Sequence, residues 1–368
     1  MVSVMASTRR VRAARIKSAE PVDYPAVPTP LLLLFLGFVI FVYLQGGYRF
    51  PVLGDLRFEF IVGQVLLVAA IALNLRNGRL RASFRSGSAT FWWSVALLLM
   101  MLVFVPVASE PAKAWGTFVD RCLKFAVFGY LVSSFVVNPM ALRWFFVTYI
   151  AAFMKMGQEG ITGYITGSLV WENQGTPRLN GPTPSYAHPN SFAGTQLSTV
   201  PFIFHFWKLA SRWARLALAF AGGAAVLVTM ASGSRTAYVG VIVWGLFMFA
   251  RSRAKGRAML VILGLLFAAP MVVPSQYVAR FETIFTQKDA EGASIDARKE
   301  ILRDAIAIAI DHPFGVGLDG FVAVRTAAFG RTQDTHNTYL QVFTNFGVLG
   351  FVVFIGFVAS VCRTLWKS

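Results

Sequence analysis

Five short stretches hold the side chains that could do chemistry. "TPRLNGPTPSYAHPNSFAG" carries Arg178, His188 and Asn190, and "MASGSRTAYVG" places Arg235 between two apolar runs. "SIDARKEILRDAIAIAI" sets Leu302 four residues after Arg298, and "THNTYLQVFTNFGVLG" opens on His336 and Asn337. "WGTFVDRCLKFAVFGYLV" adds Arg121 and Lys124 beside Asp120. Arginine suits phosphate, because its planar fork donates paired hydrogen bonds and stays charged. Histidine takes a proton near neutral pH. Cations with one base suit transfer from a phosphate-activated donor: the cations hold a leaving diphosphate and the base deprotonates an acceptor hydroxyl. The two cysteines, Cys122 and Cys362, each sit in or beside an apolar run, so neither a disulfide framework nor a metal signature follows.

Each residue also has a structural reading. Arg178 could anchor a loop. His188, just before Pro189, could cap a helix. Arg235 could sit in an ion pair. Arg298, with Lys299 and Arg303, could form the solvated face of an interfacial helix. His336 could make a satisfied polar contact, and Asn337 could cap a helix or orient the imidazole. Asp120 and Lys124, four apart, could neutralise each other. The functional reading gains weight from convergence, since these remote residues all fall on one side of the expected architecture.

That architecture is membranous. Of 368 residues 56% are hydrophobic and only 14% charged, with a mean hydropathy of +0.60. A soluble domain cannot cover so much apolar surface. The formal net charge of +17 sits mainly between apolar runs, the pattern of cytoplasmic loops beside anionic lipid rather than of a nucleic-acid binder. Runs long enough to cross a bilayer lie at roughly 30–48, 58–75, 91–108, 115–137, 140–157, 188–207, 213–231, 235–250, 257–274 and 339–361, about ten helices. The expected fold is an all-α, polytopic integral membrane protein. The first run lacks a small-residue cleavage site and reads as a span that is retained.

Basic loops then orient the chain. The tail with Arg9, Arg10, Arg12, Arg15 and Lys17, "RNGRLRASFR", Arg143, the Lys208–Arg215 loop, "RSRAKGR" and "RTLWK" all fall on one side, so both termini are expected inside. The expected organisation is a cytoplasmic tail 1–29, N-terminal spans 30–157, an outer loop 158–187, central spans 188–274, a large outer loop 275–338 holding a surface helix, and a last span with a short tail, 339–368. Long loops are uncommon unless they serve a function.

"SGSRTA", the Arg298–Leu302 pair, "HPFGVGLDGF" and "HNTYLQVFTNFGVLG", in this order, resemble the bacterial O-antigen ligase and polymerase superfamily over about 170–361. The resemblance implies a lipid-carrier-dependent membrane glycosyltransferase in the bacterial inner membrane with a periplasmic active site. Its donor would be a glycan on undecaprenyl diphosphate, and its acceptor lipid A-core or another lipid-linked glycan. No metal, cofactor or nucleic acid is implied. By position, Arg235 and Arg298 take the diphosphate-binding roles and His336 that of the base, with Arg178 a looser match; the displacement inverts the anomeric centre. His188, Asn190, Asn337 and Leu302 would support the site. Arg121 and Lys124 could extend it toward the prenyl chain. Ligase is favoured over repeat-unit polymerase. A lipid-linked sugar transporter is the alternative from another class, and a purely structural membrane partner ranks last.

Overall fold

The computed structural model describes residues 27–78, 88–173, 176–257, 259, 260, 263 and 293–367. The basic tail 1–26, the loop 79–87 and the run 264–292, which takes in most of the ninth expected span and the start of the large loop, lie outside the described residues.

Helices dominate. They are α1 (Thr29–Tyr43), α2 (Gly46–Arg49), α3 (Pro51–Asp55), α4 (Phe58–Arg76), α5 (Ala89–Val103), α6 (Pro111–Thr117), a π-helical turn (Phe118–Leu123), α7 (Lys124–Phe135) and α8 (Pro139–Ile165). After a hairpin come α9 (Pro189–Trp207), α10 (Arg212–Ala231), α11 (Arg235–Arg251), α12 (Ala293–Asp311), α13 (Phe321–Phe329) and α14 (Thr338–Lys367). Local signals set the starts. Asn138 Oδ1 accepts from Ala141 N ahead of Pro139, and Ser88, Ser211 and Ser234 cap α5, α10 and α11 through their hydroxyls.

Three described helices are long and apolar enough to cross a membrane: Phe58–Arg76, Arg212–Ala231 and Thr338–Trp366. The sequence pattern suggested about ten. Hydropathy counts apolar residues straight through turns. The run 30–48, for example, loses its helix at Tyr43, because Gln45 turns left-handed with φ 54°. At 15 residues each, α1 and α5 reach only about 22 Å against a hydrocarbon core of roughly 30 Å. α8 has the length but carries Arg143, Lys155 and Glu159. Apolar side chains nonetheless stand outward, among them Val243, Leu246 and Phe247 on α11, each about 60% exposed, as expected where lipid is the solvent.

Packing forms two groups. In the first, α1, α4, α7 and the start of α8 bury Phe35, Val39, Leu66, Leu131 and Phe135. Asn74 on α4 donates to Tyr130 Oη and Ser134 Oγ on α7, both at 2.9 Å, a polar tie between apolar helices. α8 and α10 pack on each other through small residues: a Cβ on Gly157 would meet Ala224 Cβ at 2.9 Å. Gly223 faces open space and a Cβ on Gly222 would meet only Ile203 Cγ2, at 3.9 Å, so the alanines of α10 make the close approach.

In the second group α5, α6 and the π turn pack on α14. Here α14 breaks: Gly347 is non-helical at φ 63°, ψ −164°. The segment before α13 inserts at the break, Val316 N donating to Thr344 O and Gly317 N to Asn345 O at 3.0 and 2.9 Å, while Val348 N donates to Pro313 O at 3.2 Å. The backbone groups freed by the break are thus satisfied within the protein, the condition under which apolar helices tolerate interruption. The last apolar run reads as one span in sequence; it is two helical pieces.

The all-α expectation needs a second correction. Within 158–187, α8 continues to Ile165 and a two-stranded antiparallel ribbon follows, β1 (Val170–Asn173) and β2 (Thr176–Leu179), pairing Val170 with Leu179 and Trp171 with Arg178. Four-residue strands are too short for an alternating period to be legible.

Candidate functional site

The ribbon positions Arg178. Its neighbour Leu179 is buried with Phe153 and Met156 of α8, Phe192 of α9 and Val228 of α10, which seats β2 over the ends of three helices. Arg178 is itself buried. Its Nε donates to Ser232 O at 2.9 Å and its Nη2 to Asn190 Oδ1 at 2.8 Å. One guanidinium therefore bridges the corner between α10 and α11 and the first turn of α9.

Asn190 lies in the first turn of α9, whereas Ser232 is the C-cap of α10, three residues before α11 begins. His188 precedes α9 and caps it, Nδ1 accepting from Asn190 N at 3.2 Å. The corner at "SGSR" is tight: Gly233 takes φ 58°, Ser232 Oγ accepts from Ser234 N, and Ser234 Oγ accepts from Ala237 N to cap α11. Arg235 is the first residue of α11 and half-buried. The positive ends of α9 and α11 thus lie near Arg178 and Arg235, while the guanidinium of Arg178 answers the negative end of α10 through Ser232 O.

His336 acts on the histidine that caps α9. The His188 imidazole is held below its ordinary value, first by burial, then by the charges of Arg178 and His336. The last cause places His336, remote in sequence, within electrostatic reach of His188. His336 is exposed and left-handed at φ 50°, which only firm flanking contacts hold for a non-glycine residue. Those contacts are present. Thr335 is buried, Asp334 Oδ1 accepts from Thr335 N at 2.7 Å, and Asp334 Oδ2 accepts from Gln341 Nε2 at 3.1 Å. Asn337 Oδ1 accepts from Tyr339 N and Leu340 N, starting α14.

The other expected residues lie on α12, the π turn and α7. Arg298 and Leu302 are exposed on α12. Lys124 pairs with Asp120 at 3.0 Å, and Arg121 is exposed on the π turn. Among the described residues none of these makes a hydrogen bond to the Arg178 cluster. The end of α6, just before the π turn, does reach the segment before α13, Thr117 Oγ1 donating to Asp319 Oδ2 at 3.1 Å.

Residues 217–355 match a family model described as O-antigen ligase. Over those residues the chain is similar to the O-antigen ligase family. No curated protein and no solved structure matches the chain. The family segment contains Arg235, Arg298, Leu302, His336 and Asn337. Arg178, His188, Asn190, Arg121 and Lys124 precede it, although Arg178 bonds directly to its Ser232.

Sequence reading missed an ionic cluster within the same segment. Arg325 on α13 is fully buried and donates from Nε to Asp304 Oδ2 at 2.9 Å. Arg331 bonds Asp304 and also Glu300, at 3.0 and 2.7 Å. The one available signal was an arginine inside the apolar run "FVAVRTAAF".

Proposed function

We propose that this chain is a membrane glycosyltransferase that moves a glycan from undecaprenyl diphosphate to an acceptor hydroxyl, and that it acts as an O-antigen ligase onto lipid A-core. The observation that carries the reading is that one segment matching the O-antigen ligase family model spans Arg235, Arg298 and His336, while the charge of His336 acts on His188, which caps α9 beside the buried Arg178 and its partner Asn190. About ten spans, inner-membrane placement, cytoplasmic termini and a periplasmic site belong to this reading.

In the proposed step the acceptor oxygen attacks the anomeric carbon as its proton passes to His336. The bond from that carbon to the diphosphate oxygen breaks, and a single displacement inverts the centre. Charge grows on the departing diphosphate, where Arg235 and Arg298 stabilise it without a metal. The buried Arg178 and the starts of α9 and α11 add fixed positive charge. Losing one such donor costs on the order of 10²-fold or more in rate. Arg121 and Lys124 would extend the cationic surface toward the prenyl chain.

The test is His336→Ala. The variant should insert and bind donor but transfer no glycan; full activity in cells removes the base assignment. A deletion strain separates ligase from polymerase: bare core with accumulated lipid-linked polymer marks a ligase, and short capped lipopolysaccharide a polymerase.

The break at Gly347 favours a second reading, a lipid-linked sugar transporter, since transporters use interrupted helices. Product formed by purified protein from synthetic donor, without a gradient, rejects transport alone.

A further inference from the structure

The cluster around Asp304 ties together two elements that the reaction must keep in register. Asp304 lies on α12, six residues beyond Arg298. Arg325 donates from Nε to Asp304 Oδ2 at 2.9 Å and from Nη1 to Gln333 O, also at 2.9 Å. Gln333 is three residues before His336. Arg331, at the other end of the same loop, returns to Asp304 with Nη1 at 3.0 Å from both carboxylate oxygens. A fully buried guanidinium thus fastens the loop bearing His336 to the helix bearing Arg298, and a nearly buried carboxylate closes the link from both sides.

Burial of such charges is weak evidence of a contribution to stability, because desolvation offsets attraction. What a planar fork in a dry setting does supply is fixed geometry. The loop needs it: His336 holds a left-handed backbone that its own chemistry does not favour.

We infer that Arg325 and Asp304 are positioning residues, which set the distance and orientation between Arg298 and His336 through the Gln333 carbonyl. The inference rests on the proposed glycosyl transfer, and neither residue touches substrate. Arg325→Lys discriminates. An ammonium keeps the charge beside Asp304 but has no rigid fork to span Asp304 and Gln333 O together.

The experiment uses the full chain in lipid nanodiscs with synthetic undecaprenyl-diphosphate glycan. Arg325→Lys should lower kcat on the order of 10- to 100-fold, with donor KM within about twofold of the parent because the diphosphate cations are untouched. A second measurement is independent of turnover: nitroxide labels at Arg298→Cys and His336→Cys, with Cys122 and Cys362 replaced by Ser. The 298–336 distance distribution should broaden or shift when Arg325→Lys is added. A parental kcat or an unchanged distribution overturns the inference, as does a kcat loss that only follows lost folded protein. Asp304→Asn is read in the same way should Arg325→Lys not accumulate. Full activity of His336→Ala in the same assay marks failure of the underlying functional reading, whatever the labels report.

Discussion

Arg178 Nη2 and Asn190 Oδ1, twelve residues apart in the chain, meet at 2.8 Å, while the same guanidinium reaches Ser232 O, 54 residues away, at 2.9 Å. A short ribbon, the start of α9 and the corner before α11 are thereby held as one unit. Arg178→Lys keeps the charge and loses the fork. It should destabilise the protein by about 1–3 kcal/mol, since the Asn190 oxygen and Ser232 carbonyl lose a charged donor in a buried setting. A thermal unfolding scan of detergent-purified protein checks this, and an unchanged midpoint contradicts it.

His188 gives a pH signature. Its folded value lies below the ordinary imidazole value, through burial first and then Arg178 and His336. The unfolded chain therefore binds more protons in the window between the two values. Stability should fall as pH drops from the ordinary imidazole range through the folded value, and recover as pH rises. His188→Asn, which can still cap α9, should flatten that limb of the stability–pH curve. In His336→Ala the His188 titration, followed by NMR, should move upward; a midpoint that stays put would separate the two rings.

Glu159 acts with the opposite sign. Burial raises its carboxyl, but the hydrogen bonds and charges of Arg49 and Lys155 together outweigh burial and hold it below the usual range. The Arg49 pair is bidentate, at 2.7 and 2.6 Å. Its stabilisation is present above the unfolded carboxyl value and lost as pH falls through the folded one. Glu159→Gln should cost about 1.5–3 kcal/mol at neutral pH and weaken the acid dependence, as read from denaturation midpoints across pH.

Gly347 tests the break in α14. A Cβ there would stand 2.4 Å from Pro313 O and 2.5 Å from Phe314 C, on a backbone at φ 63°. Gly347→Ala should destabilise by at least about 1–3 kcal/mol from backbone strain alone, with the overlap adding to it. Proteolysis of the 312–320 segment should quicken. A variant as stable as the parent would mean that α14 runs straight.

Much of the helical content was legible in the sequence. Apolar runs bounded by Asn138–Pro139, Ser211 and Ser234 announce helices whose caps depend on neighbours three residues away. The candidate residues for chemistry stood out for a similar reason: arginine and histidine at the ends of apolar runs are costly unless used. Helix lengths were less legible, because hydropathy ignores backbone direction and so joined α1 to the turn at Gln45 and hid the break at Gly347.

Residue type and local periodicity by themselves determined an apolar, helical, strongly basic chain with candidate cations and bases near helix starts. Tertiary structure alone decided which of them meet. Arg178 joins Asn190 and Ser232, His188 comes under the influence of His336, and Arg325 links Asp304 to Gln333. These contacts join segments dozens of residues apart or lying on different elements. Their partners are often backbone carbonyls, which every residue possesses and no sequence pattern singles out.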